Sequence, residues 1–432
     1  MILRYNKFQA EPILAASAIL ALVATSVFGT FAALTFIIFS SILFCTNMRS
    51  TFQSIVRFSP LFILPLLAFL STTWSDAPPR TLRAALQLSV TVGAGIVAFH
   101  QLDPRKTIAL LLFGFLAIAV FALPYVPAAI ASGRPMNAFF DSKNALAFNA
   151  VLLFALGIGA ALDPLQSRYV RLTAVLSIPL ACLLTYLCQS ASATTSVILV
   201  LITMPCLIAL GRLGRSARIV TGALLVLSIG LSFLFLPQIE TAIGEFRGGV
   251  LNKDATLTGR TYLWQVAAQV TAERPWLGHG YNAFWRLGNL DAEGLWRWGG
   301  IANRSGFNFH NAYIEMAVDL GFLGQAILYS SCAMIALLAS VRQVQRPSTP
   351  IAFFLSLQIV VYIRSYAETG LIAPFSLVTV LWVATAVYAV SANDGAGTPE
   401  QAPPLKLRIP HGHVRVARRR VRPAGRASGT GP

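Results

Sequence analysis

Two side chains in this sequence have the type and placement to move a proton and to hold an anion. His310 opens HNAYIEMAVDLGFLG (His310–Gly324), where a polar stretch gives way to an apolar run. A helix starting there presents free N–H groups and partial positive charge at its head, and an imidazole at that point is a candidate general base. The same place also suits a histidine that closes a helix end at a membrane interface. Upstream, Arg260 in GRTYLWQ (Gly259–Gln265) carries a guanidinium that can grip a phosphate through two hydrogen bonds. Its plainer alternative is an anchor for lipid headgroups.

More cations share the regions around that loop: Arg134, Lys143, Arg274, Arg286, Arg297 and Arg304. They enrich a face that the positive-inside rule would leave poor in Lys and Arg, and an anionic lipid-linked substrate is one physical reason for it. Arg364 and Glu368 lie one helical turn apart, as do Glu315 and Asp319. Charges near a span face a cavity or each other, so an ion pair and a substrate contact are both open readings for the first pair. Asp291 and Glu293 form an acid-x-acid pair with no third ligand, and the five cysteines all fall in apolar runs without metal-ligand spacing. No metal site, zinc or disulfide framework is assigned.

These residues must be positioned by an unusually oily chain. Hydrophobic residues make up 56% and charged residues 11%, with a mean hydropathy of +0.68. The reading is an all-α integral membrane protein, a polytopic bundle of about twelve transmembrane helices with one long loop, since a crossing needs roughly 20 apolar residues and an open sheet would leave unpaired backbone in lipid. Nine crossings are expected in residues 1–236, the loop in 237–311, three more in 312–391, and a disordered basic cytoplasmic tail in 392–432.

Clustered Arg and Lys mark alternate short loops, which puts the long loop on the extracytoplasmic side. Within it, Leu263, Val266, Ala267 and Val270 have helical spacing and predict a short amphipathic helix on the membrane surface. Trp264, Trp276, Trp285, Trp296 and Trp298 predict a loop held at headgroup level. Much of the net charge of +17 lies in the tail, from Lys406 to Arg426. That tail suits anionic membrane lipids; it has no interleaved aromatics to stack on bases, so no nucleic-acid partner is expected.

The ordered set of Arg260 with Trp264, Pro275-x-x-Gly278-His279-Gly280, His310-Asn311-x-Tyr313, then Gly321 and Gly324 resembles the core of the bacterial O-antigen ligase and O-antigen polymerase family. WSDAPPR (Trp74–Arg80) and DSKNALA (Asp141–Ala147) are similar to outer-loop signatures of the same proteins. The resemblance implies a C-type, metal-independent, inverting membrane glycosyltransferase in the bacterial inner membrane, without a cofactor. It would act at the periplasmic face on a glycan carried by undecaprenyl pyrophosphate, with other polysaccharide assembly proteins as partners.

Carried onto this chain, His310 becomes the base and Arg260 the group that neutralises the departing diphosphate. Lys143, Arg134, Trp264, His279, Asn311, Tyr313, Glu315 and Arg364 become substrate contacts. Where many members carry an arginine after a serine pair, this chain reads Ser190-Ala191-Ser192-Ala193-Thr194. Lys143, Arg134 and Arg364 are the candidates to replace that cation. The missing arginine and the DSKNALAF loop look more like an exopolysaccharide polymerase than a ligase. A transporter of lipid-linked oligosaccharides is the rival of another class, and it would show two similar halves with midplane charges, which the sequence lacks.

Overall fold

The structure is a computed structural model that describes residues 10–222, 259–391, 429 and 431. Residues 1–395 form one unit and residues 396–432 another. The expected ninth crossing, from about Ile219 to Leu236, lies almost wholly outside the described residues, as do the first part of the loop and nearly all of the basic tail.

Among the described residues every regular element is helical. In chain order they are α1 (Ala10–Val23), α2 (Thr25–Thr46), α3 (Met48–Arg57), α4 (Ile63–Leu70), α5 (Pro78–Gln101), α6 (Pro104–Ala122) and α7 (Val126–Ser132). Then follow α8 (Lys143–Leu162), α9 (Arg168–Cys188), α10 (Ala191–Arg212), α11 (Arg260–Glu273), α12 (Leu290–Trp298), α13 (Ala312–Gln345), α14 (Thr349–Arg364) and α15 (Leu377–Val390).

Polar side chains set where several begin. Asp103 accepts from two backbone N–H groups at the head of α6, and Ser142, Ser167, Ser348 and Ser376 each accept one at the heads of α8, α9, α14 and α15.

Among the described residues seven helical stretches are long and apolar enough to cross a bilayer: α2, α5, α6 with α7, α8, α9, α10 and α13. An eighth is added if α3 and residues 59–73, bent by 74° at their junction, make one span. Three shorter apolar helices, α1, α14 and α15, stand where the first, eleventh and twelfth crossings were expected. At 14 to 16 residues they extend about 21–24 Å. The sequence hides this shortening, because apolar residues continue into the turns that follow.

The core runs through α5, α6, α8, α14 and α15; Phe353, Phe354 and Trp382 are among its largest fully buried side chains. On α2, by contrast, Phe28 is 64% and Phe31 82% exposed, an apolar surface that a bilayer would cover.

The bundle has two different ends. At one, Arg105 pairs with Asp163 at 2.9 Å, and Arg57 reaches the Val390 carbonyl. At the other, the heads of α5, α8, α10, α13 and α15 gather with residues 259–311, and here WSDAPPR, DSKNALA and the Arg260 and His310 motifs meet one another.

The long loop is more than a membrane-hugging strap. Leu263, Ala267 and Val270 of α11 pack with Phe284, Trp285, Ala292, Leu295, Trp296, Phe309 and Val318 into a second small core. This corrects two expectations. The apolar face of α11 is used by that core and is not laid on the bilayer, and Trp285 and Trp296 are 8% and 2% exposed inside it. Helical α12 was not anticipated, although Asp291 and Glu293 occupy its first turn, behind the Asn289 cap, where carboxylates suit the helix dipole. Glu293 accepts from the Gly288 N–H at 2.9 Å; the acid-x-acid pair marks a helix start.

The expected tenth crossing is also broken. Gly321, with φ 65°, interrupts α13 after its first nine residues, so His310 precedes a short leading segment, with the long span beyond it. The break coincides with a backbone crossing: Phe322 and Leu323 N–H donate to the Pro275 and Trp276 carbonyls, while His279 and Gly280 N–H donate to those of Val318 and Asp319.

Candidate active site

The head of α13 is fixed first. Asn311 accepts from the N–H groups of Tyr313 and Ile314, satisfying two donors that a helix start leaves open. The Ala312 N–H reaches across to the carbonyls of Ser365 and Glu368, which docks the segment after α14 against this helix. Just before the cap, His310 adopts φ 52°, a left-handed backbone that a side-chain-bearing residue holds only when its surroundings enforce it. Its N–H donates to Asn308 Oδ1 at 2.8 Å, and Trp264 Nε1 donates to the Phe309 carbonyl at 2.9 Å, bracing the residue on its other side.

Glu368 is the hub of the polar cluster. Its Oε1 accepts from Asn144 Nδ2 at 3.1 Å and lies 3.4 Å from an Arg260 guanidinium nitrogen; its Oε2 lies 3.9 Å from His310 Nδ1. That last distance is a charge contact, longer than a hydrogen bond. Nδ1 is buried without a hydrogen-bond partner among the described residues, so the ring's 30% exposure belongs to its other atoms. Arg364, one turn before Glu368, lies 4.0 Å over the Phe148 ring, a cation–π contact that aims the guanidinium.

Burial would raise the Glu368 carboxyl, but the surrounding His310 ring and the Arg364 and Arg260 guanidiniums outweigh it and hold it below the ordinary glutamate value. With Glu368 ionised, two guanidiniums face one carboxylate, and the cluster attracts anions.

The serine pair joins the same cluster. Ser190 Oγ donates to Asn144 Oδ1 at 3.0 Å and lies 3.2 Å from Ser192 Oγ. The position of the missing arginine is therefore tied through Asn144 to Glu368. Of the three replacement candidates, Arg364 is the one this cluster holds. Lys143 stands beside Asn144, with Nζ 3.5 Å from the Gln189 carbonyl, and Arg134 is exposed.

Several other expected contacts act as supports. Tyr313 donates to the Tyr362 carbonyl and stacks on Tyr329. Glu315 uses both carboxylate oxygens inside the protein, on Trp285 Nε1 and on the Phe309 N–H. His279 lies apart, 7% exposed, with Nδ1 2.9 Å from Asp76 and Nε2 3.0 Å from the Val270 carbonyl. Each thus holds a backbone or a neighbouring side chain in place.

Asp76, in the WSDAPPR segment, anchors that loop: it pairs with Arg274 at 2.9 Å and with His279, and its N–H donates to the His279 carbonyl. Burial pushes the Asp76 carboxyl up, but the His279 hydrogen bond and the charges of Arg274, His279 and Arg286 more than offset this, leaving it below the ordinary 3.8. A carboxyl lowered by folding stabilises the fold above its unfolded pKa and loses that contribution as pH falls through the folded value. Asp76→Asn is therefore expected to flatten the fall in melting temperature below about pH 4 in detergent. An unchanged acid slope would remove Asp76 from this role.

Beside the cluster lies a cavity of about 310 Å³, walled by Asn144, Arg364 and Glu368 on its polar side and by Leu22, Phe115, Phe148 and Leu377 on its apolar side. Sequence reasoning left Glu368 open as an ion-pair partner of Arg364 or a substrate contact, without its links to residues 144, 260 and 310, and gave Asn144 no role. The first sits in a turn without periodicity; the second was visible as part of DSKNALA.

Residues 176–329 match the O-Antigen ligase family, a stretch that includes Arg260 and His310 but ends before Arg364 and Glu368. The chain is also 26% identical over 340 residues to the exopolysaccharide production protein ExoQ of Rhizobium meliloti (strain 1021), an alignment covering 76% of this chain and 75% of the relative. The domain match and the relative together support an O-antigen ligase/polymerase-like family for this membrane protein, the same resemblance that its motifs carry.

Proposed function

We propose that the chain is a membrane glycosyltransferase that extends a surface polysaccharide, taking a glycan from undecaprenyl pyrophosphate at the periplasmic face of the inner membrane. The observation that carries this reading is the grouping of His310, Arg260 and Arg364 around Glu368. An acceptor hydroxyl gives its proton to His310 while its oxygen attacks the anomeric carbon from the side opposite the diphosphate, inverting that centre. The carbon–oxygen bond to phosphate breaks and its electron pair leaves with the diphosphate, whose charge Arg260 and Arg364 neutralise. Glu368 steadies the imidazolium that forms, at a distance able to shorten once substrate is bound.

The apolar wall of the cavity beside Arg364 suits a polyprenyl-linked donor, whose tail stays in lipid while its diphosphate meets the cations. The facing supports itself on charge: Arg105, Lys106, Arg168, Arg171, Arg212, Arg215, Arg342 and Arg346 sit near the helix ends opposite the cluster, as cytoplasmic loops do. Exopolysaccharide production in the name of the relative favours polymerase over ligase.

Lipid-linked intermediates extracted from cells lacking this chain test the reading. Single lipid-linked repeats are expected to accumulate; finished lipid-linked chains would transfer the assignment to a ligase, and an unchanged profile would end it. Complementation with Arg364→Ala is expected to lower chain extension by roughly 10²-fold, the scale of one lost transition-state donor, and Arg364→Lys by much less. Equal activity of both variants would make Arg364 an anchor only.

A further inference from the structure

A second cavity, of about 350 Å³, opens on the other side of the Thr369–Gly370 segment, which lines both. Its walls include Arg80, Tyr281, Asn282, Trp285, Trp296 and Asp319. Its volume falls at the lower end of the range of ligand pockets, roughly 300–1,000 Å³. We propose that it is the acceptor subsite, built for a hydroxyl-rich sugar ring; this rests on the glycosyltransferase reading above.

The chemistry of the wall points to such a ring. Trp296 is 2% exposed, and its indole N–H has no hydrogen-bond partner among the described residues. A buried donor left unpaired is costly, and a ligand acceptor would satisfy it. Asp319, 6% exposed, accepts the Asn282 N–H through Oδ2 at 2.8 Å. Its other oxygen is then available to a hydroxyl donor, while Glu315 is occupied in holding Trp285 upright.

Trp285 and Tyr281 add aromatic wall to the cavity, the kind of surface on which the C–H face of a sugar ring packs. Arg80 donates to Asn282 Oδ1 at 3.3 Å and Arg304 also lines the cavity.

The position fits an acceptor. Phe307, Asn308 and Ala312, on either side of His310 in the chain, line this cavity, whereas His310 Nδ1 lies 3.9 Å from Glu368, which lines the other. His310 itself is in neither lining, but its ring packs edge-on against Phe307 of this cavity's wall and faces Glu368 of the other's.

The test is a binding measurement independent of turnover. The probe is the free oligosaccharide released by mild acid from the lipid-linked repeats that accumulate without this chain, titrated into the full purified chain in micelles and followed by saturation-transfer NMR. His310→Ala, with chemistry blocked, is expected to bind it saturably, and Arg260→Ala to bind it equally well. Asp319→Asn keeps the acceptor for the Asn282 N–H, and Trp296→Phe keeps the ring. Each is expected to weaken binding about tenfold, the scale of one hydrogen bond lost at a buried charged or desolvated group.

Unchanged affinity in both variants overturns the assignment, as does equal loss in Arg260→Ala, which would put the sugar at the cation cluster. A chain that extends lipid-linked repeats but shows no saturable oligosaccharide binding keeps the enzymatic reading and loses this subsite. One that binds the oligosaccharide and transfers nothing loses the enzymatic reading alone.

Discussion

His310→Ala is expected to reduce glycan extension by about 10²–10⁴-fold, the range that a general base contributes, while the protein still inserts and accumulates. The loss should appear as shortened exported glycan together with a rise in the lipid-linked substrate. The ring is 30% exposed and, among the described residues, makes no hydrogen bond through its buried nitrogen, so its removal costs the fold little packing. The backbone is the more delicate part, because φ at this position is 52° and alanine resists that region. His310→Asn answers this: asparagine tolerates left-handed backbone yet cannot take the proton. Matching losses in both variants assign the effect to the missing base. Long polymer in normal amount from either would remove His310 from the chemistry.

The way this site is assembled explains which parts of it could be read in advance. His310 and Arg260 were visible because each opens a helix in a polar stretch flanked by apolar sequence, and both ordered motifs sit in one segment of chain. Helices α5, α8, α9 and α10 were equally visible, since each carries an uninterrupted apolar run bounded by a cap or a basic end. Glu368 was harder to place.

It lies in a turn after α14, and its contacts reach residues 144, 260 and 310, separations that no local periodicity encodes. The inward turn of Trp285 and Trp296 was hidden for a related reason. Tryptophan at a membrane boundary satisfies composition equally well in the headgroups or in a small core, and the choice depends on whether α11 and the head of α13 come close enough to make that core. His279 and Tyr313 show the converse: motif residues recognised by spacing turned out to hold the scaffold around the site, through Asp76 and the Tyr362 carbonyl.

Gly278→Ala and Gly321→Ala are each expected to destabilise the chain by more than about 3 kcal/mol, beyond the 1–2 kcal/mol of a left-handed alanine alone. A Cβ on Gly278 would lie 2.5 Å from the Asp319 carbonyl oxygen, and one on Gly321 would meet the backbone of Trp276 and Leu277. Both neighbours are main chain held by the crossing hydrogen bonds, so neither can swing aside as a side chain would. Gly288→Ala is the contrast: its φ is 83°, but nothing lies within 4 Å of its added Cβ, so only the conformational cost of about 1–2 kcal/mol applies.

Thermal melts of the detergent-purified variants, read by size-exclusion fluorescence, separate the two effects. The first two should accumulate poorly or melt well below Gly288→Ala. Were all three to melt together, close backbone approach would contribute nothing and the motif would reflect φ alone. The crossing matters to chemistry because it is what fixes the leading segment of α13 beneath the loop core. If those two backbones separate, the head of that helix is no longer held on Ser365 and Glu368, and His310 loses the carboxylate against which it is set.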